Sequence, residues 1–169
     1  MEIILIYIAA TVAIVATAMV ITQLNAIHAL LYLILSLLAV GIIFYLLGAH
    51  FAAVLEVLIY AGAIMVLFVF VVMMLNLGNT TTERERSWIK PGMWVGPSVL
   101  AFVLLIELIL MLGQGVSVTE VNLVDAKQVG ILLFGPYLLA VELASMLLLA
   151  GLIGAYHLGQ RQHKTEKEG

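Results

Sequence analysis

The chain has 169 residues, 64% of them hydrophobic and 10% charged, with a net charge of −3 and a mean hydropathy of +1.22. A soluble domain carries roughly 25% charged residues, so these side chains cannot cover a globule in water, and lipid or apolar protein must be the solvent. The weak net charge points away from a nucleic-acid partner, and the lack of any cysteine excludes disulfides, thiolate metal sites, iron–sulfur ligation and cysteine nucleophiles.

A hydrocarbon core of about 30 Å takes about 20 mainly apolar residues to cross as a helix, and five segments qualify. The first is Ile3–Ile21. Glu2 is the only charge ahead of it, so it lacks the basic start of a signal peptide. It is also longer than a signal core of about 7–15 residues, and it reads as a retained helix. The polar patch Thr22-Gln23-Leu24-Asn25 ends it, with Asn25 placed to cap the next helix. The second segment runs over Ile27–Leu47, and Gly48-Ala49-His50 makes a very short turn into the third, Phe51–Leu77. At that length the third helix exceeds the need of the bilayer and must tilt or carry an irregular turn. Single π-helical turns inside α-helices cluster at functional sites, and the small-residue patch Tyr60-Ala61-Gly62-Ala63 places one near Gly62.

A polar loop, Gly78–Pro91, precedes the fourth helix, Met93–Leu112, whose Pro97 falls in its first turns, where proline is tolerated. A second loop, Gly113–Gln128, precedes the fifth helix, Gly135–His157, with Pro136 at its first position. The expected architecture is an all-α membrane protein with five transmembrane helices. Residues 1–159 form the transmembrane domain, and 160–169 a short charged tail. Arg84, Arg86, Lys90, Arg161, Lys164 and Lys167 share one side and only Lys127 lies on the other. The excess of basic residues in cytoplasmic loops then sets the N-terminus outside and the C-terminus in the cytoplasm.

Three glutamates fall inside apolar helices: Glu56, Glu107 and Glu142. A charged residue at the bilayer centre costs roughly 2.5–3.5 kcal/mol on insertion scales and marks a functional site by default. A carboxyl poised between its charged and neutral forms is what a proton relay needs. The plainer reading is an acid hydrogen-bonded to a neighbouring helix, since polar groups also act as glue between membrane helices. Glu56 carries the proton-transfer reading furthest, Glu142 next, and Glu107 least, because it lies one or two turns from a helix end and could reach the interface. Tyr60 sits four residues after Glu56, on the same helical face, where a phenol can donate to a carboxylate or hold a water. No lysine or arginine lies within the apolar segments, so a counter-ion must come from another chain. The four histidines, His28, His50, His157 and His163, form no HxxxH or HExxH pattern. His28 and His50 sit at helix ends, where capping or interface lining explains them. No phosphate loop, nucleophile triad or dinucleotide fingerprint is present.

The run Tyr60-Ala-Gly-Ala-Ile-Met-Val-Leu-Phe-Val-Phe-Val-Val-Met-Met-Leu-Asn76 closely resembles the third helix of a family of small membrane subunits of NADH–quinone oxidoreductase, respiratory complex I. That family includes subunit J of the bacterial enzyme and NADH dehydrogenase subunit six of mitochondria. His28-Ala-Leu-Leu-Tyr-Leu33 and Leu133-Phe-Gly-Pro-Tyr-Leu-Leu-Ala-Val-Glu-Leu-Ala-Ser-Met-Leu-Leu-Leu-Ala-Gly151 are similar to it as well. The resemblance spans roughly residues 20–159. It implies five helices with an outside N-terminus in the bacterial cytoplasmic (inner) membrane, and a π-bulge at Tyr60–Ala63. It also implies a third helix that rotates to open and close a water path between the quinone region and the antiporter-like subunits. The family's helix-three glutamate and tyrosine correspond to Glu56 and Tyr60, and Gly62 would permit the switch. The expected partners are the other membrane subunits of complex I and the lipid bilayer. FMN, iron–sulfur clusters and quinone would be bound by partner subunits and none by this chain. Related small subunits also occur in multisubunit cation/proton antiporters and membrane-bound hydrogenases, which is the alternative assignment. A third reading makes the chain an assembly scaffold.

Overall fold

The computed structural model describes residues 2–75, 91–113 and 124–159. Most of the 78–91 loop, the first part of the second loop, and the tail 160–169 lie outside the described residues. All regular structure among the described residues is helical. Among the described residues, five helices are long and apolar enough to cross a membrane: Ile3–Thr22, Ala26–Leu46, His50–Met74, Trp94–Gly113 and Leu138–Gly159. By contacts the chain divides into two units, residues 1–125 and 126–169.

In the first unit, α1 (Glu2–Thr22) and α2 (Ala26–Leu46) form an antiparallel pair. Asn25 caps α2 as expected: its extended backbone (φ −99°, ψ 118°) lets the side-chain oxygen accept from the Ile27 N–H at 2.9 Å. The far end of α2 closes with the Ala49 N–H donating to the Phe44 carbonyl and the Gly48 N–H to that of Tyr45. Gly48 takes φ 80°, the left-handed conformation that this type of helix ending requires and that glycine adopts without steric cost. The turn delivers the chain at once into α3. It begins as an α-helix over His50–Leu55, widens to a π-helix over Glu56–Ile64, and returns to α-helix over Met65–Leu75. The expected irregular turn in helix three is therefore present, and it is longer than a single bulge.

Helix α4 covers Pro91–Gly113. It starts two residues earlier than the apolar run indicated because Pro91 needs no N–H partner in a first turn. Pro97 thus falls in the second turn of the helix, where it cannot donate to the Met93 carbonyl. α2 and α4 run in the same direction, with His28 against Trp94, Tyr32 against Gly96, and Leu35 and Ala39 packed with Leu104. The core of this unit lies where α1, α2 and α4 meet, around Val12, Ala16, Leu35, Ala39 and Leu104.

The second unit differs from expectation at its start. Ala126–Leu133, read partly as loop, forms a short helix α5, and α6 spans Leu138–Gly159. Pro136 does not open α6 but sits in the turn before it. A continuous helix would need an N–H at position 136 to reach the Leu132 carbonyl, and proline has none. The Tyr137 N–H takes that carbonyl instead at 3.1 Å, one residue further along, and the helix breaks there.

Candidate functional site

α2 is the element that positions the site, and each neighbour meets it through a different small or polar residue. Toward α1, the Ser36 and Thr17 hydroxyls lie 2.8 Å apart, one donating to the other, and the Ala13 carbonyl, 2.8 Å from Thr17 and 3.3 Å from Ser36, accepts the remaining proton. Toward α4, the Tyr32 ring lies over Gly96 so closely that a Cβ there would collide with the phenol oxygen. Toward α3, Gly41 leaves room for Ala53, Glu56 and Val57. A Cβ at position 41 would come 3.2 Å from Val57 Cγ2 and 4.0 Å from Glu56 Cγ.

Glu56 opens the π-helical segment and is half-buried beside Gly41. Its own N–H still donates back to the Ala52 and Ala53 carbonyls, in the ordinary helical reach, whereas the Met65 N–H at the far end donates to the Gly62 carbonyl and also to the Tyr60 carbonyl five residues back. The widening thus occurs between the glutamate and Met65. Gly62 is central to it: a Cβ there would stand 3.2 Å from the Val57 carbonyl oxygen, five residues earlier, tighter than side chains normally pack. Tyr60 projects from the same segment and is 50% exposed. It shares no hydrogen bond with Glu56 among the described residues. No residue of Glu56–Ile64 is buried. The structure therefore brings Glu56, Tyr60 and Gly62 together on one irregular turn. Glu142 lies on α6 in the other unit, exposed, with the Ser145 hydroxyl donating to its backbone carbonyl at 2.7 Å.

Glu107, the least suggestive of the three acids from its place in the sequence, has the most enclosed carboxyl. It is 2% exposed, and neither of its oxygens has a hydrogen-bond partner among the described residues. His28 is similarly enclosed, edge-on to Trp94 at 6.0 Å, with both ring nitrogens unpartnered among the described residues. His50 opens α3 and lies against Tyr45, ring centres 4.2 Å apart. The only signal that could have singled out Glu107 is its spacing from Leu100, Leu104 and Met111, which puts all four on one face of α4. α2, α3 and α4 also line an open apolar cleft of about 520 Å³, bounded by Gly41, Tyr45, Val57, Leu104, Leu108 and Met111 among others, and Glu107 is not one of its lining residues.

The family model for NADH-ubiquinone/plastoquinone oxidoreductase chain 6 matches residues 16–158. An NADH-quinone oxidoreductase subunit J from Pseudomonas aeruginosa is 62% identical over 163 residues, 94% of this chain and 96% of the relative. The subunit J of Escherichia coli strain K12 is 56% identical over 164 residues, 95% of this chain and 88% of the relative. That of Buchnera aphidicola from Schizaphis graminum is 47% identical over 161 residues, 92% and 96% of the two chains. With nearly the whole length matched, this chain belongs to the family of NADH-ubiquinone/plastoquinone oxidoreductase chain 6.

Proposed function

We propose that this chain is a membrane-arm subunit of a proton-pumping NADH–quinone oxidoreductase, and that it couples quinone reduction to proton translocation without redox chemistry of its own. The names of its relatives support the assembly. The observation that carries the coupling role is the π-helical run Glu56–Ile64, which sets a carboxyl at the start of an irregular turn inside an apolar spanning helix. A π turn and an α turn differ by one residue of register, so conversion between them rotates everything beyond. Coupling requires a discrete two-state element of this kind. Glu56 passes or gates protons, Tyr60 holds the adjoining water, and Gly62 lets the turn change register. Glu142 serves a second proton step or contacts a partner. FMN, iron–sulfur clusters and quinone are carried by partner subunits; with no cysteine, this chain offers no thiolate to a cluster. The N-terminus faces outward and the tail the cytoplasm of a bacterial inner membrane.

The test is co-purification through a C-terminal tag in mild detergent, with NADH dehydrogenase activity stained on a native gel. Migration with a large NADH-oxidising assembly is expected. An assembly without that activity transfers the chain to the antiporter or hydrogenase class. Within the NADH-oxidising assembly, Glu56→Gln should lower proton translocation per NADH oxidised. Unchanged translocation would leave Glu56 as an interhelical hydrogen-bond partner.

A further inference from the structure

From the shape of the cleft between α2, α3 and α4 we infer that it is a binding site for one acyl chain of a membrane phospholipid. Its walls are all parts of spanning helices. On α2 it runs from Leu35 to Tyr45 and on α4 from Ala101 to Met111, ten residues each, or about 15 Å at a rise of about 1.5 Å per residue. Half of a hydrocarbon core of about 30 Å is the same length. The two helices run in the same direction, so both walls begin near mid-helix and end toward the side of the Gly48 turn. α3 enters from that turn and lines the cleft with Ala53, Val54, Val57 and Leu58. The cleft is therefore one leaflet deep, in the leaflet on the Gly48 side, which is the outer one in the orientation proposed above.

Three features decide what fills it. Tyr45, at the mouth, is the only polar side chain among the lining residues. A water inside would need two or more polar partners, so water does not occupy it. An empty cleft would forfeit dispersion contacts along its walls, so the occupant is apolar. Beyond Leu35 the groove closes, because α2 and α4 touch directly: the Tyr32 phenol meets Gly96, and the His28 ring lies edge-on to Trp94. A spanning partner helix needs the full depth of the core and cannot lie along a groove that stops at its centre. An acyl chain has the length of one leaflet and bends to fit. The bilayer supplies it at the cleft's rim, where Val54 and Leu58 of α3 and Leu105 and Leu108 of α4 are exposed. The Tyr45 hydroxyl sits at the interfacial depth that suits a tyrosine, where it can donate to a lipid ester oxygen. Val57 and Leu58 belong to the π-helical segment, so the bound chain packs against the irregular turn. The site does not depend on the proton role proposed for Glu56, and the native-gel assay of the assembly tests that reading separately.

The experiment is photolabelling of the intact assembly in native membranes with two phosphatidylethanolamines, one carrying a diazirine at the methyl end of an acyl chain and the other next to its ester. On irradiation the diazirine loses dinitrogen, and the carbene left inserts into a neighbouring C–H bond. Peptide mass spectrometry should place the methyl-end probe on Leu35, Leu38 or Ala101 and the ester-end probe on Tyr45 or Met111. Leu108→Trp fills the cleft and should cut these adducts about tenfold, equivalent to about 1.4 kcal/mol of lost packing. Val54→Trp fills it from α3 should the first variant fail to assemble. Ile109→Trp, at an exposed position outside the lining, should leave the adducts unchanged. Adducts on Ile109 and Phe102 with none in the cleft overturn the site and leave it to a partner's side chains. Labelling indifferent to depth or to the filling variants overturns it too, and so does labelling by a diazirine-bearing prenyl chain but by neither phospholipid.

Discussion

α2 and α3 are nearly equal in apolar character, adjacent in sequence and joined by a three-residue turn, yet they are held very differently. α2 buries His28, Tyr32, Leu35, Ser36, Ala39, Gly41 and Leu46, and each neighbour meets it through a matched contact. The middle of α3 buries nothing over Glu56–Ile64. A packed core has few alternative arrangements because its side chains interdigitate; an irregular turn with open flanks has no such constraint. Packing is therefore concentrated along α2, which carries no acidic residue, while the π-helical segment of α3 that begins at Glu56 holds no buried residue. Gly41 marks the boundary, where the rigid helix lies directly against Glu56.

The contrast can be broken most severely at Gly62. Gly62→Leu sets a side chain against the Val57 carbonyl and should remove most NADH-driven proton uptake while leaving NADH oxidation and native-gel assembly in place. Normal uptake in an assembled complex would show that the turn need not move. On the rigid side, Gly96→Ala drives a methyl into Tyr32. Overpacking of that kind costs about 1–3 kcal/mol, read as a lower unfolding temperature of the subunit in the complex. Tyr32→Phe removes the clashing oxygen and should recover part of the loss; no recovery would mean the contact is not what limits packing there. Gly48→Ala forces a side chain into the left-handed region at a cost of about 1–2 kcal/mol, and looser coupling of α2 to α3 should appear as faster amide exchange at Ala49 and His50. The smallest effect is expected for Ser36→Ala, about 0.6 kcal/mol, the average for hydrogen bonds between membrane helices, with proton uptake unchanged.

The spans, the Asn25 cap, the Gly48 turn and the irregular third helix were legible in the residues, since each follows from a local run, a capping side chain or a family motif. The break at Pro136 was misplaced by two residues, because a proline two positions before a helix and one at its first position look alike until the Leu132 carbonyl finds its donor. The candidate site was legible in part. Glu56, Tyr60 and Gly62 are consecutive enough to be read as one cluster, whereas the enclosure of Glu107 was not, since it depends on helices distant in sequence.

Local composition by itself determined that this chain crosses a membrane, how many times, and where its acids fall along each helix, because the length of an apolar run is a property of neighbouring residues. Tertiary structure decided which way those helices turn. A helix apolar on every side has no stripe to orient it; only the fit of Tyr32 over Gly96, of Thr17 to Ser36 and of Glu56 beside Gly41 fixes the rotation. That rotation is what encloses Glu107 and leaves the π segment of α3 open.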